Sequence, residues 1–232
     1  MQSRLRASCA SSLAYRNLNG RRWKSGSTHF RIFRTWPSEI SRSRRAKNSG
    51  AEQGLLYWEL LDLAYIQSHL AEDGILIRGA TTVGDIYVDE RLIFGPALIR
   101  AYELERDVAS YPRIILDSRV FDRLSDTPEL CMPAVADQMK SLRTVLARDN
   151  DGTWFVDYLQ ATMHELASQP AAYGKFLRKH RDVVRRAAAK LTELCSPAAK
   201  VGWLVSYHNH TVSASRLDVL EKNGIDAQDL MV

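Results

Sequence analysis

The two ends of this chain differ sharply in charge, and that difference constrains its folding more than any other feature. Residues 1–50 carry twelve cationic side chains, Arg4 to Lys47, against a single acid, Glu39. Across all 232 residues there are 32 cationic and 27 anionic side chains. Residues 51–232 therefore hold 20 against 26, so a leader of +11 precedes a body of −6. The leader is rich in Arg, Ser, Asn and Gly, and its apolar residues keep no period of 3.6 or 2. Such a segment has too little apolar area to offset the entropy of ordering, and disorder is expected over 1–50. The same composition also fits a cleaved mitochondrial presequence. A nucleic-acid-binding fold would carry its positive patch on the folded body, so the split argues against that class. No run reaches the 18 apolar residues of a spanning helix. Cys9, Cys131 and Cys195 are odd in number and far apart, so neither a disulfide framework nor a zinc framework is expected. The chain reads as cytoplasmic.

The body begins with clear periodicity. Leu55, Leu56, Trp58, Leu60, Leu63, Ile66 and Leu70 recur at helical spacing up to a stop at Asp73-Gly74. Ile75 to Val88 is β-branched and marked by glycines. With a turn at Asp89-Glu90 and a return over Arg91–Phe94 it predicts a hairpin. Gly95-Pro96 opens a helix whose buried stripe is Ala97, Leu98, Ala101, Leu104, Glu105 and Val108. Tyr111-Pro112-Arg113 ends it, and Ile114–Asp117 predicts a strand. Further helices are expected over 134–147, 171–195 and 198–210, with a turn at Asn150-Asp151-Gly152 before Trp154–Tyr158. The order implies an α+β fold, a sheet with covering helices plus a helical C-terminal extension. Its parts are a basic segment 1–50, an α+β unit over about 51–125, and a mainly helical extension over 126–232.

Arg78 is the most informative polar residue, because it lies in an apolar strand on the face of Leu76 and Ala80. A buried guanidinium needs a partner, either an internal carboxylate or an anionic ligand such as a phosphate. Gly79 to Gly84 is no phosphate loop, since Asp85-Ile86 stands where Lys and Ser or Thr belong; the glycines read as bends. On the helix from Pro96, Ile99, Glu103 and Arg106 occupy the less apolar side, with Tyr102 near its boundary. A Glu103/Arg106 pair outweighs an anion site at that helix's N-terminus. His208 and His210 diverge in direction on a helix, so a frayed helix end or a packing histidine is favoured over a metal pair.

Three ordered motifs, Ile77-Arg78-Gly79-Ala80-Thr81-Thr82-Val83-Gly84, Phe94-Gly95-Pro96-Ala97-Leu98 and Ala101-Tyr102-Glu103-Leu104-Glu105, resemble the second half of class III nucleotide cyclase domains. Tyr111-Pro112-Arg113-Ile114 and Trp203-Leu204-Val205-Ser206-Tyr207-His208-Asn209 narrow the resemblance to the pyrimidine cyclases of Pycsar antiphage defence, over about residues 52–212. The resemblance implies cyclisation of UTP or CTP to cUMP or cCMP with release of pyrophosphate. It further implies Mn²⁺ or Mg²⁺ on two aspartates, a head-to-tail homodimer, and an effector that senses the product. Arg78 matches a substrate-contacting arginine, and Tyr102 and Glu103 lie on the helix bordering the pocket. Ile99 and Glu103 stand where purine cyclases carry Asn and Arg. No Asp precedes Asp62, and the second metal ligand would fall near Ser38-Glu39-Ile40. Either the chain is a catalytically degenerate homologue acting as a nucleotide-binding or interaction domain, or its first fifty residues come from another reading frame.

Overall fold

The computed structural model describes residues 33–34, 54–88, 92–126, 135–190, 196–215, 220–221 and 224–232. The disorder expected over 1–50 and all three cysteines fall outside these, apart from a two-residue strand, β1 (Phe33–Arg34).

The first helix, α1 (Leu55–Glu72), ends as the sequence predicts. Gly74 takes φ 79°, which glycine adopts without steric cost, so that Ile75 N–H bonds Leu70 O at 2.8 Å and Gly74 N–H bonds Ala71 O at 3.0 Å. Beyond it the long run 75–88 is not one hairpin strand. Its first part forms β2 (Gly79–Thr81), and only β3 (Tyr87–Val88) pairs with the return strand β4 (Ile93–Phe94). Between them Gly84, at φ 156°, lets the chain leave the main sheet.

Helix α2 (Pro96–Asp107) then packs across β2, burying Ala97, Ala101, Leu104 and Glu105, while Val108 of the expected stripe is exposed. Next come β5 (Ile114–Leu116), α3 (Arg119–Asp126) and α4 (Val135–Leu142). The helix expected over 134–147 stops short, because Leu146–Arg148 is a strand, β6, turned at Gly152 into β7 (Trp154–Val156). Helix α5 (Tyr158–Glu165), unforeseen in the sequence, starts where Asp157 accepts the Gln160 N–H at 3.0 Å. Helices α6 (Pro170–Ala189) and α7 (Ser196–Ala214) stand where two C-terminal helices are expected, but α6 ends at Ala189 rather than 195 and Ser196-Pro197 opens α7; a 3₁₀ turn follows at Gln228–Leu230.

The main sheet has the order β1-β2-β5-β7-β6, with β1, β2 and β5 parallel and β7 and β6 antiparallel. The fold is therefore mixed α and β, and the sheet continues into residues 126–232 through β6 and β7. Ile114, Ile115 and Leu116 are all buried, so both faces of β5 are covered. Helix α1 packs on α5 and α6, and α6 packs on α7. A single core joins Leu60 and Leu63 of α1 to Ile115, Phe155, Leu159, Leu177 and Leu204.

Candidate functional site

Arg78 enters β2 at its foot, beside the end of α2. Its Nη2 lies 2.8 Å from Glu105 Oε1, and Nη1 donates to Ala109 O at 3.1 Å. The Arg78 side chain is 22% exposed and that of Glu105 only 2%, so the pair is largely shielded from water. The partner that the sequence demanded is thus an internal carboxylate. The other two candidates have different surroundings. Tyr102 lies under the Arg106 guanidinium, 5.6 Å from the ring centre. Arg106 pairs with Asp107 at 2.6 Å, where the spacing had favoured Glu103. Glu103 lines a shallow groove of about 540 Å³ with Phe94, Gly95, Ile99, Arg100 and Arg119.

At the other end of β2 sits a carboxylate that sequence reasoning passed over. Asp117 accepts from Thr82 Oγ1 at 2.8 Å and from Arg100 Nε at 3.1 Å. Burial pushes its pKa up, but the Arg100 and Thr82 hydrogen bonds outweigh burial and hold it below the usual value.

Arg113, just before β5, organises a second cluster. It is fully buried, pairs with Asp149 and Asp151, and lies 5.1 Å from the Tyr111 ring centre and 5.7 Å from those of Phe155 and Trp203. The Tyr111 and Trp203 rings stack 5.7 Å apart, and Trp203 Nε1 donates to Asp149 at 2.6 Å. The Tyr-Pro-Arg motif and the Trp-Leu motif, ninety residues apart, thus meet in one cluster. Further along α7, Tyr207 donates to Asp157 Oδ1 at 2.6 Å and accepts the Leu159 N–H at 3.1 Å. Burial raises the Asp157 pKa against the opposing Tyr207 bond. His208 is buried against His180, as the packing reading expects, while His210 is exposed.

A cleft of about 340 Å³ lies between the β6–β7 turn, α5 and α7, bordered by Asp149, Asp157, Gln160, Trp203, Tyr207 and His210. Its main polar groups are committed internally. Asp149 serves Arg113 and Trp203, Asp157 serves Tyr207 and the α5 N-terminus, and Gln160 Nε2 donates to Arg143 O at 2.7 Å. Trp203 also stacks on Tyr207 at 5.0 Å.

The described residues include no group of three or more His, Cys, Asp or Glu placed to hold a metal ion. Asp117, Asp149 and Asp151 are each held by a guanidinium, so this part of the chain does not fit Mn²⁺ or Mg²⁺. The segment around Ser38-Glu39-Ile40 lies outside the described residues. Among the described residues no helix is long and apolar enough to cross a membrane. No family model matches the chain, and neither does any curated protein or solved structure.

Proposed function

We propose that the chain is a pyrimidine nucleotide cyclase of the class III type, acting as the messenger-producing enzyme of a Pycsar system. The observation that supports this reading is the arrangement of residues 78–117. Strand, hairpin, helix and strand follow one another as the resemblance implies, with Arg78 at the foot of β2 and Gly95-Pro96 opening α2. In the proposed reaction the 3′-oxygen of UTP or CTP bonds to the α-phosphorus. The bond from that phosphorus to the α–β bridging oxygen breaks, pyrophosphate leaves, and the hydroxyl proton passes to solvent. Arg78 would contact substrate by exchanging Glu105 for an anion, a swap suited to its planar fork. Tyr102 and Glu103 border the same helix. The exposed apolar side chains Tyr87, Ile93, Phe94 and Ile99 support assembly as a homodimer. The cyclic product would act on a cyclic-nucleotide-sensing effector.

A second reading, a non-catalytic nucleotide-binding or interaction domain on the same scaffold, is favoured by the closed Arg78–Glu105 pair. Incubating the full chain with each nucleoside triphosphate and Mn²⁺, with products read by mass spectrometry, separates the two. The expected outcome is cUMP or cCMP with equimolar pyrophosphate, reduced at least tenfold in a folded Arg78→Ala variant. If no triphosphate is cyclised yet UTP or CTP raises the melting temperature, the second reading stands. If neither occurs, the cyclase and nucleotide-binding readings both fail.

A further inference from the structure

The residues Ala227–Val232 are strapped onto α6 and α7 by side chains that reach for their backbone. Arg181 Nη1 donates to Asp229 O, Arg185 Nη2 to Met231 O at 2.8 Å, and His208 Nε2 contacts Leu230 O at 2.7 Å. Asn209 Oδ1 accepts the Val232 N–H at 2.9 Å, and Leu230 is fully buried beneath the strap.

The His208 contact fixes every proton in a chain of hydrogen bonds. A carbonyl oxygen can only accept, so His208 Nε2 carries a hydrogen and its Nδ1, in the neutral ring, is bare. His180 Nδ1, 2.9 Å away, must then donate to it, which leaves His180 Nε2 to accept from Tyr158 Oη at 2.6 Å. The Nδ1–Nδ1 contact has room for one proton only. A second would set two N–H groups against each other in a buried site where the rings stack at 5.0 Å.

We propose that Tyr158, His180 and His208 form a proton-sensitive latch that keeps Ala227–Val232 docked while both rings are neutral and releases it on acidification. The surroundings offer no charge to stabilise an imidazolium directly. From α6 itself Arg181 and Arg185 flank His208 and oppose its protonation; from α5 comes Tyr158, with Asp157 committed to Tyr207. Helix α1, behind Tyr158, presents the hydroxyl of Ser68, and the strap presents carbonyls while the Asp229 side chain is exposed. Burial, then the neighbouring His208, holds the His180 pKa down to about 3, and burial likewise lowers that of His208. A free histidine titrates near ~6.5, so acid favours any state in which these rings regain water. Release would uncover the apolar groove that Leu230 fills.

Hydrogen exchange on the full chain at pH 7.5 and 5.0, corrected for intrinsic rates, tests the latch. The expected result is at least tenfold faster exchange over 224–232 at pH 5.0 with α1 still protected. A His180→Gln/His208→Gln variant should lose that pH dependence. Equal exchange at both pH values, simultaneous loss of protection in α1, or an unchanged pH dependence in the variant would overturn the proposal. Should the variant not fold, nitrogen NMR of the wild-type rings decides. Neutral rings until the strap is released support the latch, and a ring that titrates while 224–232 stays protected sinks it.

Discussion

A guanidinium buried as completely as that of Arg113 holds its charge only because two carboxylates and three aromatic rings replace its water. Removing it strands Asp149 beside Trp203 and opens a hole between β5 and α7. Arg113→Ala is therefore expected to cost about 3–5 kcal/mol in urea denaturation, the range for breaking a buried pair. Asp151→Asn, at the more exposed end, should cost under ~1 kcal/mol. Sequence reasoning could see that Arg78 needs a partner, because the need follows from one strand's apolar setting. It could not name Glu105, which reads along α2 as one more position in a buried stripe. Arg113 escaped notice for the opposite reason. It follows a proline at a helix break, and its partners Asp149, Asp151 and Trp203 are brought to it only by the sheet.

Elements were legible where periodicity is long and hidden where it is short. Helices α1, α2, α6 and α7 run for many turns, and their apolar residues reveal them. Strand β6 is only Leu146–Arg148, too brief for alternation to register, so the helix before it seemed to continue. Helix α5 follows β7 with only Asp157 between them, and a single capping residue is a weak signal against a run that starts Trp-Phe-Val. The break between β2 and β3 depends on glycine geometry that composition merely hints at. Gly95 is the sharper case, with φ 149° and an added Cβ only 2.6 Å from Asp85 O and 2.9 Å from Ile86 Cα. Gly95→Ala should destabilise the β4–α2 junction by about 1–3 kcal/mol, through strain and backbone collision together. Thermal unfolding followed by circular dichroism measures it. A change under 0.5 kcal/mol would mean the junction relaxes freely.

For the molecule as a whole, acid is the condition that probes the packing of α5, α6 and α7 together. His180 has a folded pKa near 3, below the ~6.5 of an unfolded chain. Its contribution is complete above about pH 6.5 and is lost as pH falls toward 3, at about 1.4 kcal/mol per pH unit. Asp157 works the other way, since burial raises its pKa. Its contribution is full below the ordinary carboxylate value and is lost as pH rises through the folded one. Urea melts at pH 7.5, 6.0 and 5.0 should lose about 2 kcal/mol between pH 7.5 and 5.0 for His180 alone. A flat profile over that interval would contradict the neutral, hydrogen-bonded pair.

The strand order also sets a timetable. β5 has β2 on one side as soon as residue 116 is made, but its other neighbour is β7, the last of the sheet strands in the chain. During synthesis, at about 5–20 residues per second, the intervening segment of roughly forty residues leaves that edge open for about 2–8 s. Ile114, Ile115 and Leu116 are the residues exposed along it. A chain that has not yet made β7 thus lacks the partner of that apolar strand edge.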